Sequence, residues 1–273
     1  MHIAAIGSMP LYSTIERVRN ELRELGAPQT LTASQLYPFD QIHYRGTDAV
    51  RDAAVALHLR PGDRVLDVGS GIGGPARCLA STIGCQVTAL ELQEPMHALG
   101  RELTARCGLS ELVTHLCGDA LVHPLADDAY DAAVSWLMIH HVPGRPRLLR
   151  RIATALRAGG RLYIEDLCTR APFAPEDQAD VEQTLFGATM TSADEYVDDV
   201  RAAGFAMVEA TDMRDEWTAF CAARADAWRA NAARHRRVHG EAIVATLDRF
   251  FTTVQRLFEN GSLGGLRIVA QKS

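Results

Sequence analysis

The residues able to do chemistry fall into three groups. The stretch Val65-Leu66-Asp67-Val68-Gly69-Ser70-Gly71-Ile72-Gly73-Gly74-Pro75 runs from an apolar, β-leaning segment into a glycine cluster and then a helix start. Glycines at a strand end let the backbone turn tightly and approach a ligand. Glu91 closes a second apolar run, Gln86-Val87-Thr88-Ala89-Leu90, 22 residues after Gly69. A carboxylate there can take both hydroxyls of a ribose. The two features together point to a nucleoside-bearing cofactor at the top of a parallel sheet. The third group is Ile139-His140-His141-Val142-Pro143 with Asp166, which ends another apolar run. Imidazole is the side chain suited to taking a proton near neutral pH.

The elements that must hold these groups alternate. Strands are expected at 64–68, 86–91, 112–117, 130–135 and 161–166, with helices at about 74–83, 95–107 and 145–157 between them. Strands separated by helices imply right-handed crossovers and a parallel sheet covered on both faces. Ala158-Gly159-Gly160 reads as the turn into the fifth strand. Helices are also expected at about 14–25, 48–58 and 192–203, a loop or short helix over 171–191, and a strand at 205–211. Residues 214–260 read as mostly helical, and Gly264–Ala270 as a terminal strand.

The bulk composition sets limits. The chain has 273 residues, 47% of them apolar, enough for one large domain with an insertion. A net charge of −6 argues against a nucleic-acid partner. The six cysteines make no Cys-x-x-Cys pair and read as free thiols of a cytoplasmic protein. Met1–Gly7 lacks a signal peptide's basic start and long apolar core. No apolar run is long enough to span a membrane.

Gly69-x-Gly71-x-x-Gly74 also satisfies the dinucleotide pattern, which is common on its own. An NAD-linked oxidoreductase is disfavoured by the strand–helices–strand ending and by the lack of a Tyr-x-x-x-Lys pair. Asp67 precedes the first glycine by two residues. Asp119 ends the third strand, and the fourth closes in Ser135-Trp136. With Leu156-Arg157-Ala158-Gly159-Gly160-Arg161-Leu162, this set resembles class I S-adenosylmethionine (SAM)-dependent methyltransferases over about residues 45–170. The Ile139–Pro143 segment resembles their small-molecule branch: sugar O-methyltransferases, and sarcosine/dimethylglycine or phosphoethanolamine N-methyltransferases.

The resemblance implies an α/β fold, a Rossmann-like seven-stranded sheet whose last strand is antiparallel. It divides the chain into an N-terminal helical lid (1–60), a SAM-binding core (61–213), a helical substrate cap (214–260) and a terminal strand (261–273). Asp67, Gly69 and Gly71 would line the methionine part of SAM. Glu91 would hold the ribose, Leu92 and Gln93 would lie against the adenine, and Asp119 and Ala120 would take its polar edge. Ser135 would offer its carbonyl to the ammonium. Gln41, Tyr44 and Tyr37 belong to the segment that covers SAM in relatives. His141 is expected as general base, with His140 beside it, and Asp166 orienting a histidine or holding an acceptor hydroxyl.

The expected partner is a small-molecule acceptor, with oxygen favoured over nitrogen or carbon, and with self-association left open. No metal ligand is assigned, and C-methylation of an anionic acceptor such as a prenyl diphosphate, held by the arginines and a magnesium ion, is the minority alternative. His235 and His239, spaced i,i+4, read as surface histidines, and most arginines of 214–260 as a solvated helix face. An anionic acceptor is compatible with them.

Overall fold

Residues 14–187 and 189–273 are described by the structure, a computed structural model; residues 1–13, including the Met1–Gly7 stretch and the start of the expected lid segment, lie outside the described residues. Helices α1 (Thr14–Glu24), α2 (Ala33–Asp40) and α3 (Thr47–Ala56) precede the sheet. Then β1 (Arg64–Val68), α4 (Gly74–Thr82), β2 (Gln86–Glu91), α5 (Glu94–Arg106), β3 (Val113–Cys117), β4 (Tyr130–Trp136), α6 (Arg145–Ala155) and β5 (Leu156–Thr169) follow. After them come α7 (Pro175–Gln183), α8 (Ala193–Ala202), β6 (Phe205–Asp212), α9 (Arg214–Ala230), α10 (Ala232–His239), α11 (Glu241–Glu259) and β7 (Leu263–Lys272).

The seven strands form one sheet in the order β3-β2-β1-β4-β5-β7-β6. The pairs from β3 through β5 are parallel, and β7 is antiparallel to both β5 and β6. The expected turn at 158–160 lies inside the fifth strand. Tyr130 pairs with Leu156 and Ala132 with Arg161, so residues 157–160 bulge out of register. Gly159, at φ +71°, allows that bulge without breaking the strand.

Strand alternation splits the core between the two faces. Leu66 and Val68 pack with Ile164, with Leu149 and Ile152 of α6, and with Val200 of α8. Val65 faces the other way, with Val87, Val134, Val50 of α3 and Leu79 of α4. Burying each such side chain contributes about 1.5–3 kcal/mol. A third cluster, around Trp217, Leu257 and Phe258, joins α9 and α11 to Tyr44 and β7. A fourth joins α1, α2 and α5 through Val18, Leu36, Phe39 and Leu99. The sheet's edge is thereby roofed by helices from both ends of the chain.

Candidate active site

The loop leaving β1 meets the end of β2 at the carboxyl edge of the sheet, where ligands bind in open α/β sheets. A Cβ on Gly69 would fall 2.2 Å from Cγ of Met138, and Gly69 carries φ +76°. Both facts demand glycine there. The N–H groups of Gly69 and Ser70 donate to the Leu90 carbonyl at 2.9 and 3.0 Å. Glu91 clasps the loop: Oε2 accepts from the Gly71 N–H at 2.9 Å and Oε1 from the Gln93 N–H at 2.8 Å.

Two buried carboxylates, Asp67 and Glu91, share this cleft. Oδ2 of Asp67 and Oγ of Ser70 are buried with no hydrogen-bond partner. Burial, and then the Glu91 charge, pushes the Asp67 pKa up to about 8. Burial also raises Glu91, opposed by the N–H groups of Gln93, Gly71 and Leu92. Such a cleft is short of positive charge, and a cationic ligand would relieve it.

Strand β4 delivers Trp136 and then Leu137, whose φ of +51° is unusual for a branched residue. Its N–H donates to the Glu165 carbonyl at 2.8 Å. Leu137, Ile42 and His141 line both the cleft and a second, larger cavity of about 510 Å³. A single 3₁₀ turn, Ile139–His141, then presents both histidines, with ring centroids 3.8 Å apart.

Their partners differ. His140 Nδ1 lies 2.5 Å from Oδ1 of Asp166, and its backbone N–H donates to Oδ2 at 2.8 Å. The Tyr196 hydroxyl donates to the same Oδ2 at 2.9 Å. His141 Nδ1 faces the Phe186 carbonyl at 3.1 Å, and its Nε2 is buried without a partner. A carbonyl only accepts, so Nδ1 of His141 carries the proton and Nε2 the lone pair. Burial, then the neighbouring His140, holds its pKa well below the usual histidine range.

The second cavity is walled by α9–α11 on one side and by α1 and the end of α2 on the other. Trp228, Phe250 and Phe251 are among the apolar residues that line it. His235 and His239 were expected at the surface and are in this wall instead. His235 stacks on Trp228 at 3.8 Å, and His239 is buried with Nε2 3.1 Å from Glu21 Oε1. The i,i+4 spacing puts them on one face of α10, and that face packs on α1. Among the described residues no group of three or more His, Cys, Asp or Glu side chains is placed to hold a metal.

Residues 66–164 match the methyltransferase domain family. The chain is 31% identical over 223 residues to 27-O-demethylrifamycin SV methyltransferase of Amycolatopsis mediterranei (strain S699), covering 79% of each. The chain belongs to the class I SAM-dependent methyltransferases. It is also 28% identical over 228 residues to 24-methylenesterol C-methyltransferase 2 of Arabidopsis thaliana, covering 79% of this chain and 63% of that one. Its fold superposes with a TM-score of 0.81 on Haemonchus contortus phosphoethanolamine N-methyltransferase 2 in complex with phosphomonomethylethanolamine and S-adenosylhomocysteine (SAH). That match has 18% identity and covers 97% of this chain and 60% of the other.

The methyltransferase's cofactor is SAM, and the cleft fits it on its own terms. The unpartnered Asp67 Oδ2 and Ser70 Oγ can receive the ammonium of its methionine part. The Glu91 carboxylate, pinned by two backbone N–H groups, still has lone pairs for ribose hydroxyls. The aliphatic Leu92 and Met96 offer apolar surface to a base. The structure brings Asp67, Gly69, Gly71, Glu91, Leu92, Gln93, Asp119 and Ala120 into this one wall. Asp119 is braced there by the Leu121 N–H, which donates to Oδ1 at 2.8 Å.

Four expected cofactor residues are not among those lining the cleft. Ser135 is buried in β4, its Oγ donating to the Val68 carbonyl at 2.9 Å, a side-chain bond separate from the backbone carbonyl on which the expectation rests. Gln41 and Tyr44 line the second cavity instead. Tyr37 lines neither, its hydroxyl being 3.1 Å from Ser81 Oγ of α4. The chain leaves the helix at Gln41 (φ −87°, ψ 86°), so helical spacing no longer relates Tyr37 to the residues that follow. Ile42, Ser70, Met96 and Met138 line the cleft and were not anticipated. Only Ser70, inside the glycine cluster, carried a local signal; nothing in the spacing singled out the three apolar side chains.

Between α2 and α3, His43 donates from Nε2 to the Gly46 carbonyl at 3.0 Å and packs against Trp136 at 5.3 Å. Burial lowers its pKa to about 4, which keeps it neutral at the cleft wall.

Proposed function

We propose that the protein methylates a hydroxyl of a small natural product or sugar, with the His140–Asp166 pair removing the proton. SAM, when bound, supplies a methyl group already activated by its sulfonium. The protein therefore has two tasks, to hold the acceptor in line and to take its proton. The observation that carries this reading is the buried contact of His140 Nδ1 with Asp166. It leaves Nε2 as the basic nitrogen and gives the resulting imidazolium a counter-ion. An unpaired buried cation would be costly.

The sequence favoured His141 as base. The geometry favours His140, because His141 has only a carbonyl beside it and is held neutral by burial. His141, at the junction of cleft and cavity, is suited to accepting the acceptor's hydrogen bond at Nε2 and so to aiming it. The 214–260 helices act as the acceptor cap in this reading. The relative named for 27-O-demethylrifamycin SV supports oxygen as the methylated atom.

The test is a panel of small hydroxyl and amine acceptors incubated with protein and SAM, scored by SAH release and by mass spectrometry of products. O-methylated product is expected. Turnover of amines alone, unaffected by His140→Ala, would overturn the reading, since a free amine needs no base.

A further inference from the structure

The acceptor cavity contains charge that proton removal does not use. Arg17 of α1 and Arg224 of α9 both line it, and neither lines the cofactor cleft. The Arg224 guanidinium sits between the rings of Tyr44 and Phe251, 4.7 Å from each centroid. Its Nε is buried with no hydrogen-bond partner, and Nη2 meets Cys221 Sγ at 4.0 Å. Arg17 donates from Nη2 to the Phe39 carbonyl at 3.3 Å. Among the described residues, neither guanidinium has a carboxylate within ion-pair distance.

Among the described residues, the one acid in the cavity wall is Glu21, and it is already engaged. Arg234 donates to its two oxygens at 3.0 and 2.7 Å, and His239 Nε2 lies 3.1 Å from Oε1. Three arginines thus face one glutamate. Burial lowers the pKa of both His235 and His239, which favours their neutral forms. Burial lowers the Arg17 pKa too; Glu21 opposes this, and the nearby Arg224 charge adds to it. Two uncompensated cations beside Trp228, Phe250 and Phe251 describe a receptor for an apolar molecule with a negative group.

We propose that the acceptor carries an oxyanion, a carboxylate or a phosphate, held by Arg17 and Arg224 while its hydroxyl meets the histidines. The hydroxyl half of this statement rests on the O-methylation reading; the anion half does not. The acceptor class is therefore an apolar hydroxy acid or a phosphorylated apolar alcohol. Arg224, clamped by aromatic faces, offers its outer N–H groups as a planar fork, the geometry that matches either oxyanion.

The experiment is calorimetric titration of the SAH-saturated protein with 2-naphthoate, 2-naphthyl phosphate and neutral 2-naphthamide. At least one anion should bind tenfold or more tighter than the amide, and which one does so separates carboxylate from phosphate. Arg17→Met and Arg224→Met should each reduce that preference at least fivefold. Arg237→Met, which removes an exposed partner of Glu24 outside the cavity, should leave it unchanged. His140→Ala should also preserve the preference, so failure of the base assignment registers separately. If either Met variant fails to fold, the wild-type titration in rising NaCl decides: the anion's affinity should fall and the amide's should not. Absence of an anion preference, or its survival in both Met variants, overturns the proposal.

Discussion

The cofactor cleft and the second cavity, proposed above to take the acceptor, share Ile42, Leu137 and His141, yet they are built by opposite means. The cleft is made of strand ends and backbone: the Gly69–Gly71 turn, and Glu91 held by two N–H groups. Its geometry follows from sheet register and leaves little freedom. The cavity is made of side chains from helices far apart in sequence, Arg17 on α1 and Arg224 on α9 among them. A fold can thus keep one methyl donor while changing acceptors by altering helices that lie outside the sheet.

The sharpest way to break the comparison is at the seam between the two. Arg77 of α4 donates to the Ile72 carbonyl in the glycine loop at 2.7 Å and to Asp40 at the end of α2 at 2.9 Å, with both side chains fully buried. Asp40→Ala leaves that guanidinium uncompensated and should cost about 3–5 kcal/mol of stability. Denaturant unfolding measures this, and a loss below about 1 kcal/mol would show that the seam is not held by the pair.

Within the cleft, Glu91→Ala should weaken SAM by up to about 3 kcal/mol, because it removes a charged hydrogen-bond acceptor. Calorimetry with SAM reads it, and unchanged affinity would remove Glu91 from the ribose.

A smaller effect is proton release from Asp67. Its pKa in the ligand-free cleft is raised to about 8. A carboxylate with a raised pKa holds its proton below that value, and a cationic ligand favours the charged form. SAM affinity should therefore climb with pH by at most about tenfold per unit up to pH 8, then level off. Titrations in buffers of different ionisation enthalpy should register a released proton at pH 7, and none would detach Asp67 from the cation.

The mildest change lies on the acceptor side. Tyr196→Phe removes one hydrogen bond to Asp166, worth about 0.5–1.5 kcal/mol. Turnover should fall about 2- to 10-fold with SAM affinity unchanged. An equal loss of both would mean that Tyr196 supports the fold as a whole.

The same contrast explains what was legible in the sequence. The strand–helix alternation, the parallel pairing and the Gly69–Glu91 unit could be read because strand, turn and helix lie within 30 residues and obey one crossover rule; the order of the strands was not among the expectations. The His140–His141 pair was visible, but adjacency does not say which ring meets Asp166. The 3₁₀ turn decides that, and no spacing rule announces it. Tyr37 and Tyr44 were read together as lid aromatics, and the chain's exit from α2 at Gln41 sends them to different neighbours. His235 and His239 looked solvent-facing because the partner of α10 is α1, some 215 residues earlier. Amphipathic spacing gives a helix a buried face without naming what covers it.

The central claim is that donor binding and proton removal are carried by separate residues. His140→Ala tests it when SAM affinity and single-turnover rate are measured on the same preparation with a hydroxyl acceptor found in the panel. The account predicts a rate lowered about 10²–10⁴-fold, with SAM affinity within about twofold of the parent, since His140 does not line the cleft. A rate that barely moves, or a SAM affinity that falls in step with it, would contradict the account.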